Sequence, residues 1–398
     1  MLKYQTWYAL EWIVILALYG LGLSSLNTAL CFPLLAFFVV TIIASVLMAI
    51  VSKKVPLLEI EYVKGRRPIV TALICIGFIA DWAYQGTLPI FNTYSGYITG
   101  VSEDQITGIP VLHVVLIGSA IYWGMYMGYI FICNPKKKEY LLEFCIIILL
   151  FIINVSRGYI VYTLFVPLIC FAAFRNQGLR RTKVSSVLAI IICGIGIIFL
   201  ISAMGNMRYG YAWYDCSYIE RIGRYVNYPV WLSKHFMWFY SYVTSPLANL
   251  NLNAIMPIDQ IDVLGYLYAF LPSIFTYNYS KIATYYIVHY FNAATGFVTF
   301  LRSGGIGGLY LSIAGIFAYY SAVRRILCKY KALEMFGNAV LSLLIIGLVF
   351  YNSLRTAALC YLPILLILHS ILISKQVASG KITVRFYGMK NTNKEIES

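Results

Sequence analysis

Arginine is the residue type whose chemistry and positions in this chain best indicate a binding site. Six arginines fall in segments predicted to lie on one side of a membrane: Arg157, Arg208, Arg221, Arg224, Arg302 and Arg355. Only two lysines, Lys234 and Lys281, share those segments. The planar guanidinium group binds phosphate or carboxylate through two parallel hydrogen bonds, which an ammonium group does not do. The bias towards arginine therefore predicts a site for a multiply charged group at that surface.

Two of these arginines occupy similar turns between apolar stretches. Arg157 lies in Asn154-Val-Ser-Arg-Gly158 and Arg355 lies in Asn352-Ser-Leu-Arg-Thr356. An arginine at the edge of the hydrocarbon region must either snorkel to lipid headgroups or pair with another group. Both alternatives stay open here, and the second makes each arginine a phosphate ligand in a cavity between helices. Arg208, just beyond an apolar stretch, is a third candidate.

A glycine-rich segment, Gly304-Gly-Ile-Gly-Gly308, follows Arg302. One interpretation is close packing at the start of a membrane helix, where small residues let neighbouring helices approach. The other is a set of backbone N–H donors near a phosphate that Arg302 also binds. Arg221 and Arg224 have a simpler interpretation, because Glu220 and Arg224 are four residues apart and can pair on an exposed helix.

Few residues are suited to acid–base chemistry. His289 is flanked by aromatic residues, and imidazole suits a general base near neutral pH; a buried structural histidine is the alternative. Asp259 and Asp262 are three residues apart, so a helix would present both on one side, as a site or as a solvated face. Asp81, near the end of an apolar stretch, is interpreted as a polar contact between helices.

No Cys or His pair has metal-ligand spacing, so neither a metal site nor a cofactor is predicted.

The elements that must position these residues are predicted to be membrane helices. Hydrophobic residues make up 61% of the chain and charged residues 11%, against about a quarter charged in soluble domains. Lysine-rich loops alternate with lysine-poor loops, which places both termini in the cytoplasm and the arginines outside. Residues 1–374 are predicted to form one transmembrane bundle, and 375–398 a basic cytoplasmic tail. The candidate spans are 7–23, 29–51, 69–85, 109–132, 141–155, 158–174, 184–204, 306–322, 337–353 and 357–374.

The interval 205–305 is unusually dense in Tyr, Trp and Phe and is predicted to be external. We predict aromatic helices that lie at the membrane interface or re-enter the membrane. The alternative is a pair of crossings at 236–250 and 282–301. The segment 218–226 fits an interfacial helix with one apolar face. That face consists of Ile219, Ile222 and Val226.

Several short pieces between about residues 80 and 310 carry a family resemblance when they are taken in order. They are Gly86-Thr-Leu-Pro-Ile-Phe91, Gly108-Ile-Pro-Val-Leu-His113, Ser156-Arg-Gly158, Tyr242-Val-Thr-Ser-Pro-Leu-Ala-Asn-Leu-Asn251, Asn292-Ala-Ala-Thr-Gly-Phe297 and the cluster Gly304-Gly-Ile-Gly-Gly308. Together they resemble the Wzy-type oligosaccharide repeat-unit polymerases of bacterial O-antigen and capsule synthesis. Members of that family often carry an acidic residue just before the last glycine cluster, where this chain has Arg302-Ser303. A role for an acid at that point is therefore not transferred.

The resemblance implies an all-α, polytopic integral membrane bundle of about 10–12 transmembrane helices, similar to the GT-C-type polymerase and ligase architecture. It implies a metal-independent glycosyltransferase in the bacterial inner membrane that acts on undecaprenyl-diphosphate-linked oligosaccharide at the periplasmic face. The growing glycan would move from undecaprenyl diphosphate to the non-reducing end of a lipid-linked repeat unit. Further partners would be the lipid bilayer, a chain-length regulator and a flippase, and no nucleic acid. The diphosphate ligands would be Arg157, Arg208, Arg302 and Arg355, and the base His289 or Asp259.

Two other functions that act on lipid-linked glycans are kept as alternatives. A flippase is a transporter, and transporters usually show internal repeats and charged residues near the bilayer midplane. The O-antigen ligase joins finished glycan to lipid A core and shares the topology and the need for arginine. This chain shows neither transporter feature, since its distinctive charges cluster on one side, and the short sequence pieces favour the polymerase over the ligase.

Overall fold

The chain is mostly helical in the computed structural model, which describes residues 2–63, 68–90, 108–109, 111–154, 156–176, 194–196, 198–199, 201–207, 209–258, 260–275 and 284–387. The helices that position the site are α1 (Tyr4–Gly20), α2 (Phe32–Val51), α3 (Ile69–Gln85), α4 (Leu112–Cys133), α5 (Lys138–Ile153), α6 (Arg157–Asn176), α7 (Ser217–Ile222), α8 (Phe236–Ile255), α9 (Val263–Tyr268), α10 (Val298–Tyr330), α11 (Glu334–Ile346) and α12 (Leu362–Ala378). The described part also has two strands, β1 (Leu57–Tyr62) and β2 (Ile382–Tyr387), and two short 3-10 helices, Ser273–Phe275 and Gly347–Val349.

The ends of several helices follow from local sequence. Pro33 and Pro363 lie in the first turn of α2 and α12, where the missing N–H has no helical partner to lose. Gly86 ends α3 in the left-handed conformation (φ +72°), which a residue without Cβ adopts at little cost. Proline and glycine therefore mark helix ends that the pattern of hydrophobic residues locates only approximately.

Among the residues that the structure describes, four helices are long and apolar enough to cross a membrane: α2, α4, the Gly158–Arg175 part of α6, and α10. Shorter apolar helices include α3, α12 and the stretch Glu334–Val349 that contains α11. Helices cover most of each predicted span except 184–204, most of which lies outside the described residues. The prediction of a helical protein with membrane-spanning helices is thus confirmed in its coarse form.

The strands β1 and β2 form an antiparallel two-stranded sheet that the sequence analysis did not predict. Leu58, Ile60 and Tyr62 of β1 are buried, and the residues between them are partly exposed, so the strand has one covered face. The sheet packs on the end of α4, where the Tyr129 hydroxyl donates to the Leu58 carbonyl (2.7 Å). The Asn134 amide likewise donates to the Ile60 carbonyl (2.7 Å). We call this end of the bundle the sheet end.

The opposite end of the bundle collects the arginine-bearing turns, and we call it the arginine end. α12 runs directly into β2, so the turn before α12 lies away from the sheet. Arg324, close to the last turn of α10, donates to the Lys53 carbonyl at the sheet end, so α10 begins at the arginine end. α5 follows the sheet-end terminus of α4, so its last residue and the first residue of α6 also lie at the arginine end. The predicted site arginines at this end are Arg157, Arg302 and Arg355.

Asn249, on α8, holds an irregular segment against the bundle. Its amide nitrogen donates to the carbonyls of Phe291 and Ala293, both at 2.7 Å. Its amide oxygen accepts from the Ile287 N–H at 2.9 Å. The Asn249 side chain is buried, so one side chain satisfies three backbone groups that the irregular segment cannot satisfy itself.

Two neighbouring asparagines of α8 act in the same way. Asn253 donates to the Tyr285 carbonyl (2.7 Å) and accepts from the Tyr285 N–H (3.1 Å). Asn251, on the other side of the helix, accepts from the Cys31 N–H (2.9 Å) and donates to the Thr28 hydroxyl (3.2 Å). α8 therefore fixes the segment before α10 and the segment before α2.

The alternative crossing at 282–301 is wrong. Residues 284–297 are irregular, and α10 begins only at Val298. A crossing helix would satisfy its own N–H and carbonyl groups, whereas here the α8 asparagines bind them. The other segment of that predicted pair, 236–250, is helical as part of α8.

The predicted interfacial helix is shorter than its pattern indicated. α7 ends at Ile222, and Ile219 and Ile222 are buried as predicted. Val226 is 63% exposed, because the chain has left the helix before reaching it. The apolar face is therefore formed by two residues of one turn rather than by three.

The predicted pair of Glu220 and Arg224 does not form. Lys234 Nζ donates to Glu220 Oε2 at 2.7 Å, and both side chains are exposed. Arg224 has a φ of +46° beyond the end of α7, so the two residues do not share a helix face. An exposed ion pair of this kind contributes about 0–1 kcal/mol.

We predict that Asn249→Leu lowers the thermal stability of the protein. Leucine has a similar size but leaves the Ile287 N–H and two carbonyls without partners in a buried place. Each unpaired buried group costs about 1–3 kcal/mol, so the melting temperature in detergent should fall by several degrees.

Asn227→Leu is the matched control, because Asn227 is exposed and makes one long hydrogen bond, 3.4 Å to the Gly22 carbonyl. Its melting temperature should equal that of the wild type. If Asn249→Leu also melts like the wild type, these hydrogen bonds do not hold the segment.

Candidate functional site

An open cavity of about 530 Å³ lies at the arginine end of the bundle. Its walls come from the segment after α9, from residues 284–299, and from the turn between α11 and α12. The polar lining residues are Ser273, Thr284, Asn292, Thr295, Thr299, Asn352, Arg355 and Thr356, and the aromatic ones are Tyr286, Phe350 and Tyr351. One cavity therefore contains residues of two segments that the sequence analysis singled out. Asn292–Phe297 belongs to the family resemblance, and Asn352–Thr356 is the turn that carries Arg355.

Close backbone contact joins these two pieces at Gly296. The Gly296 N–H donates to the Leu348 carbonyl at 2.7 Å. A Cβ atom at this position would lie 2.6 Å from the Tyr351 carbonyl oxygen and 2.9 Å from the Asn352 Cα, too close for any side chain. Glycine is required here because the wall of the cavity is formed by two backbones in direct contact.

Asn352 joins the third segment to the same wall. Its amide nitrogen donates to the Ala269 carbonyl at 2.6 Å, and its amide oxygen accepts from the Leu354 N–H at 3.1 Å. The Ser273 N–H donates to the Arg355 carbonyl at 3.0 Å. The backbone of the Arg355 turn is thus fixed at both ends before any ligand binds.

Arg355 lines the cavity with a side chain that we call uncommitted, because no described residue binds its guanidinium group. Within the described ranges its guanidinium group makes no hydrogen bond and no ion pair, and its side chain is partly buried. Hydroxyl and amide side chains surround it, and these both donate and accept hydrogen bonds. Such a lining suits a ligand that carries many hydroxyl groups beside an anionic group.

Arg302, in contrast, is already bound by the protein. One of its terminal nitrogens donates to the Pro257 carbonyl (2.9 Å) and to the Met256 carbonyl (3.3 Å). Its Cζ atom lies 5.0 Å from the centre of the Tyr285 ring, a cation–π contact. These contacts give Arg302 a structural role at the start of α10, and its assignment to the diphosphate stays a prediction.

The glycine cluster after Arg302 packs against an aromatic ring. A Cβ on Gly304 would lie 2.8 Å from the Tyr266 ring, and one on Gly308 would lie 3.1 Å from it. Gly305 has φ +64° and interrupts the helical geometry of α10. The close-packing interpretation of this cluster therefore has direct support.

Two predicted site residues, Arg208 and Asp259, lie outside the described residues. Arg157 is the first residue of α6, but its side chain also lies outside the described part. The turn before it is ordered by Asn154, whose amide donates to the Ser156 hydroxyl (3.1 Å). Since these contacts lie at the arginine end, Arg157 is brought to the same end of the bundle as Arg355.

His289 is exposed and does not line the cavity. Its ring lies 6.1 Å from that of Tyr290, and no hydrogen bond to it is present in the part of the chain that the structure describes. The idea that one helix presents Asp259 and Asp262 is not supported. Asp262 instead caps α9 by accepting from the Gly265 N–H at 2.8 Å.

Asp81, interpreted from sequence as a polar contact, has a fuller environment than that interpretation foresaw. The carboxylate is completely buried. Its Oδ1 accepts from the Ile109 N–H (2.8 Å), and its Oδ2 accepts from the Gln85 amide (3.0 Å). Oδ2 also lies 2.7 Å from Nδ1 of His113. Sequence reasoning missed this pair. The available signal was an acid near the end of one apolar stretch followed by a histidine at the start of the next.

Glu11 is a second acidic residue that the sequence analysis did not single out. It lies near the middle of α1, and its Oε2 is buried without a hydrogen-bond partner among the described residues. A carboxyl group within an apolar helix is costly to bury.

No protein-family model, curated protein or solved structure matches this chain. Functional inference therefore rests on the residues and their geometry. In the described part of the chain, no three His, Cys, Asp or Glu side chains are grouped to hold a metal ion.

We predict that Arg302→Leu and Arg355→Leu differ in their effect on stability. Arg302→Leu removes hydrogen bonds from a charged donor, which contribute about 1.5–3 kcal/mol each, together with the contact to Tyr285. Arg355→Leu removes no hydrogen bond that the structure describes, so its effect should stay within about 0.5 kcal/mol. Thermal unfolding of both variants in one detergent measures the difference.

The wild type and the exposed-site variant Arg221→Leu provide the reference values for that comparison. A loss of stability in Arg355→Leu as large as in Arg302→Leu would contradict the description of Arg355 as uncommitted.

Proposed function

We propose that this chain is an O-antigen or capsular polysaccharide repeat-unit polymerase. It transfers the growing glycan from undecaprenyl diphosphate to the non-reducing end of a lipid-linked repeat unit, at the periplasmic face of the bacterial inner membrane. The observation that carries the proposal is the cavity in which the uncommitted guanidinium of Arg355 stands among hydroxyl and amide side chains. The lining offers hydrogen bonds for sugar hydroxyls and a fixed positive charge for diphosphate.

Fixed positive charge is the chemical requirement of this transfer. When the bond between the anomeric carbon and the diphosphate breaks, negative charge develops on the departing oxygen. A preorganised donor that faces this charge in a partly dry site stabilises the transition state. Arg355 is held by backbone contacts on both sides and makes no ion pair with the residues that the structure describes, so its charge is available to the leaving group.

The separation of the two ends supports the proposed orientation. The sheet end carries Lys136, Lys137 and Arg385 around a second cavity, together with Glu59 and Glu61. Lysine-rich loops face the cytoplasm by the positive-inside rule. The arginine end is then periplasmic, where lipid-linked repeat units are delivered after they have crossed the membrane.

Aromatic side chains at the arginine end suit a glycan that carries a lipid. Tyr286, Phe350 and Tyr351 border the cavity, and their flat faces can pack on the apolar face of a sugar ring or on the polyprenyl chain. Nearby, Tyr162 lies 5.6 Å from Tyr351, ring centre to ring centre, and links the cavity to α6. The aromatic lining therefore offers packing surface, and the polar lining offers hydrogen bonds.

A gel of surface glycan from a strain that lacks this gene tests the function. Loss of the long ladder, with retention of a band that carries a single repeat, is the expected result. Loss of every repeat-bearing band would favour the flippase or the ligase, and an unchanged ladder would exclude all three. A strain that carries the gene on a plasmid is the control.

We predict that Arg355→Lys strongly reduces polymerisation in the complemented strain. Lysine keeps the charge but loses the two parallel hydrogen bonds to phosphate oxygens. The ladder should shorten by most of its length, and Arg157→Lys should have a similar effect if its side chain reaches the same ligand.

Arg221→Lys is the matched control, because Arg221 is exposed; in the described part it donates to the Tyr211 hydroxyl (3.2 Å) and lies 5.7 Å from the centre of the Tyr218 ring. It should leave the ladder intact. Full-length ladders in both Arg355→Lys and Arg157→Lys would refute the assignment of these arginines to the diphosphate.

A further inference from the structure

The contact between Asp81 and His113 orients the imidazole ring and determines which of its nitrogens carries the proton. The carboxylate is 0% exposed and the His113 side chain 29% exposed, so the ring stands between a buried acid and the outside. With the proton of Nδ1 directed at Asp81, the neutral ring presents Nε2 as a proton acceptor. No described residue hydrogen-bonds to that Nε2 atom. An acid that orients a histidine in this way is the arrangement that general bases use in hydrolases.

Gly108 closes the buried side of the pair. A Cβ on Gly108 would lie 2.2 Å from Asp81 Oδ1 and 2.6 Å from His113 Nδ1, so only glycine fits. The following residue, Ile109, donates its N–H to the same carboxylate. The backbone is therefore wrapped around the pair, which excludes water from the Asp81 side and leaves the ring edge as the accessible part.

The turn into α4 is strained just before His113. Val111 has a φ of +65°, an uncommon conformation for a β-branched residue. Strain of this kind persists only where the surrounding structure holds it, and it is concentrated at functional sites. Here it accompanies the placement of His113 in the first turn of α4, at the arginine end.

The pair lies between the two arginine-bearing turns. Next to Asp81, the Trp82 indole donates to the Asn154 amide oxygen (3.4 Å), in the turn that precedes Arg157. Next to His113, the carbonyls of Val114 and Val115 accept from the Tyr361 hydroxyl at 3.0 and 2.6 Å. Tyr361 ends the turn that carries Arg355.

We propose that His113, oriented by Asp81, is the general base that removes the proton from the acceptor hydroxyl. The proposal rests on the proposed function, since it assigns a residue to that reaction. The hydroxyl proton moves to His113 Nε2 as the hydroxyl oxygen forms its bond to the anomeric carbon of the growing glycan. The bond from that carbon to the diphosphate oxygen breaks, and undecaprenyl diphosphate leaves with the electron pair. Asp81 stabilises the imidazolium, which then releases its proton to water.

This assignment differs from the base that the sequence predicted. His289 is exposed and has no described partner that would orient its ring, and Asp259 lies outside the described residues. Neither histidine lines the cavity, but His113 has an oriented ring, a buried counter-charge and neighbours that contact the turns of Arg157 and Arg355. The geometry therefore favours His113 over His289.

The test uses membranes that contain the full-length protein and lipid-linked single repeat units from a strain without the gene. Polymer formed per unit time is measured for wild type and for His113→Asn, which keeps a donor towards Asp81 but has no proton acceptor. We expect a decrease of about 100-fold or more, the usual contribution of general-base catalysis. His289→Asn is measured in parallel, and a large loss there with normal activity of His113→Asn would overturn the proposal.

His235→Asn is the matched control. His235 Nδ1 is hydrogen-bonded to the Ser202 hydroxyl (2.8 Å) rather than to a carboxylate, and partial burial lowers its pKa, which keeps it neutral near pH 7. Its substitution should leave the rate of polymerisation unchanged. The amount of folded protein in each membrane is quantified by size-exclusion chromatography in detergent.

Asp81→Asn tests the positioning role of Asp81. The amide donates to Nδ1 and moves the ring proton to Nε2, so activity should fall at least about tenfold while His113 remains present. Nitrogen-15 NMR of histidine-labelled protein, with the His113 signal found by difference from His113→Asn, should report the change of tautomer. A purely structural role of Asp81 would leave that signal unchanged. Normal activity of folded Asp81→Asn would overturn the proposal even if His113→Asn is poorly folded.

The outcomes separate the two levels of the proposal. If the wild-type membranes form no polymer, the proposed function fails and the role of His113 in it fails with it. If wild-type membranes polymerise and folded His113→Asn does so at the same rate, only the assignment of the base is refuted.

Discussion

The hydrogen bonds of the buried Asn249 are the interaction on which the site depends most. They attach residues 287–293 to α8, although that segment has no regular structure of its own. The same segment continues into Gly296, whose backbone touches that of Tyr351 and forms the cavity wall. Without a buried amide on α8, the backbone groups of this segment would need a helix or water to satisfy them. A rigid polar cavity at the end of an apolar bundle is the consequence.

Arg302 and Arg355 illustrate how similar residues take different roles. Arg302 is held by two carbonyls and a tyrosine ring, and so it fixes the start of α10. Arg355 belongs to a turn whose backbone is held from both sides, while its guanidinium stays uncommitted among hydroxyl groups. A preorganised charge with no partner among the described residues favours an external anion, since no such ion pair must break when the ligand binds. His113 lies in the first turn of α4, next to residues that contact Tyr361, so the proposed base and this charge occupy one end of the molecule.

The sequence predicted the helices well because hydrophobic length and lysine distribution determine them locally. It also predicted that Arg355 lies in a turn between two apolar stretches, which the structure confirms. The alternative crossing at 282–301 is suggested by apolar composition, but the asparagines that hold this segment irregular lie about 40 residues earlier, on α8. The strands β1 and β2 were missed because they pair across most of the chain. The contact of Asp81 with His113 was missed because it joins different helices, and only the fold shows that Gly108 leaves room for it.

The central claim is that this protein joins lipid-linked repeat units to each other, and reconstitution tests it most directly. Purified protein in lipid vesicles is supplied with lipid-linked single repeat units and a metal chelator, and the lipid products are separated by mass. The account predicts lipids that carry two or more repeats, together with released undecaprenyl diphosphate. Vesicles in which single units only change leaflet, or are joined only to added lipid A core, would contradict it.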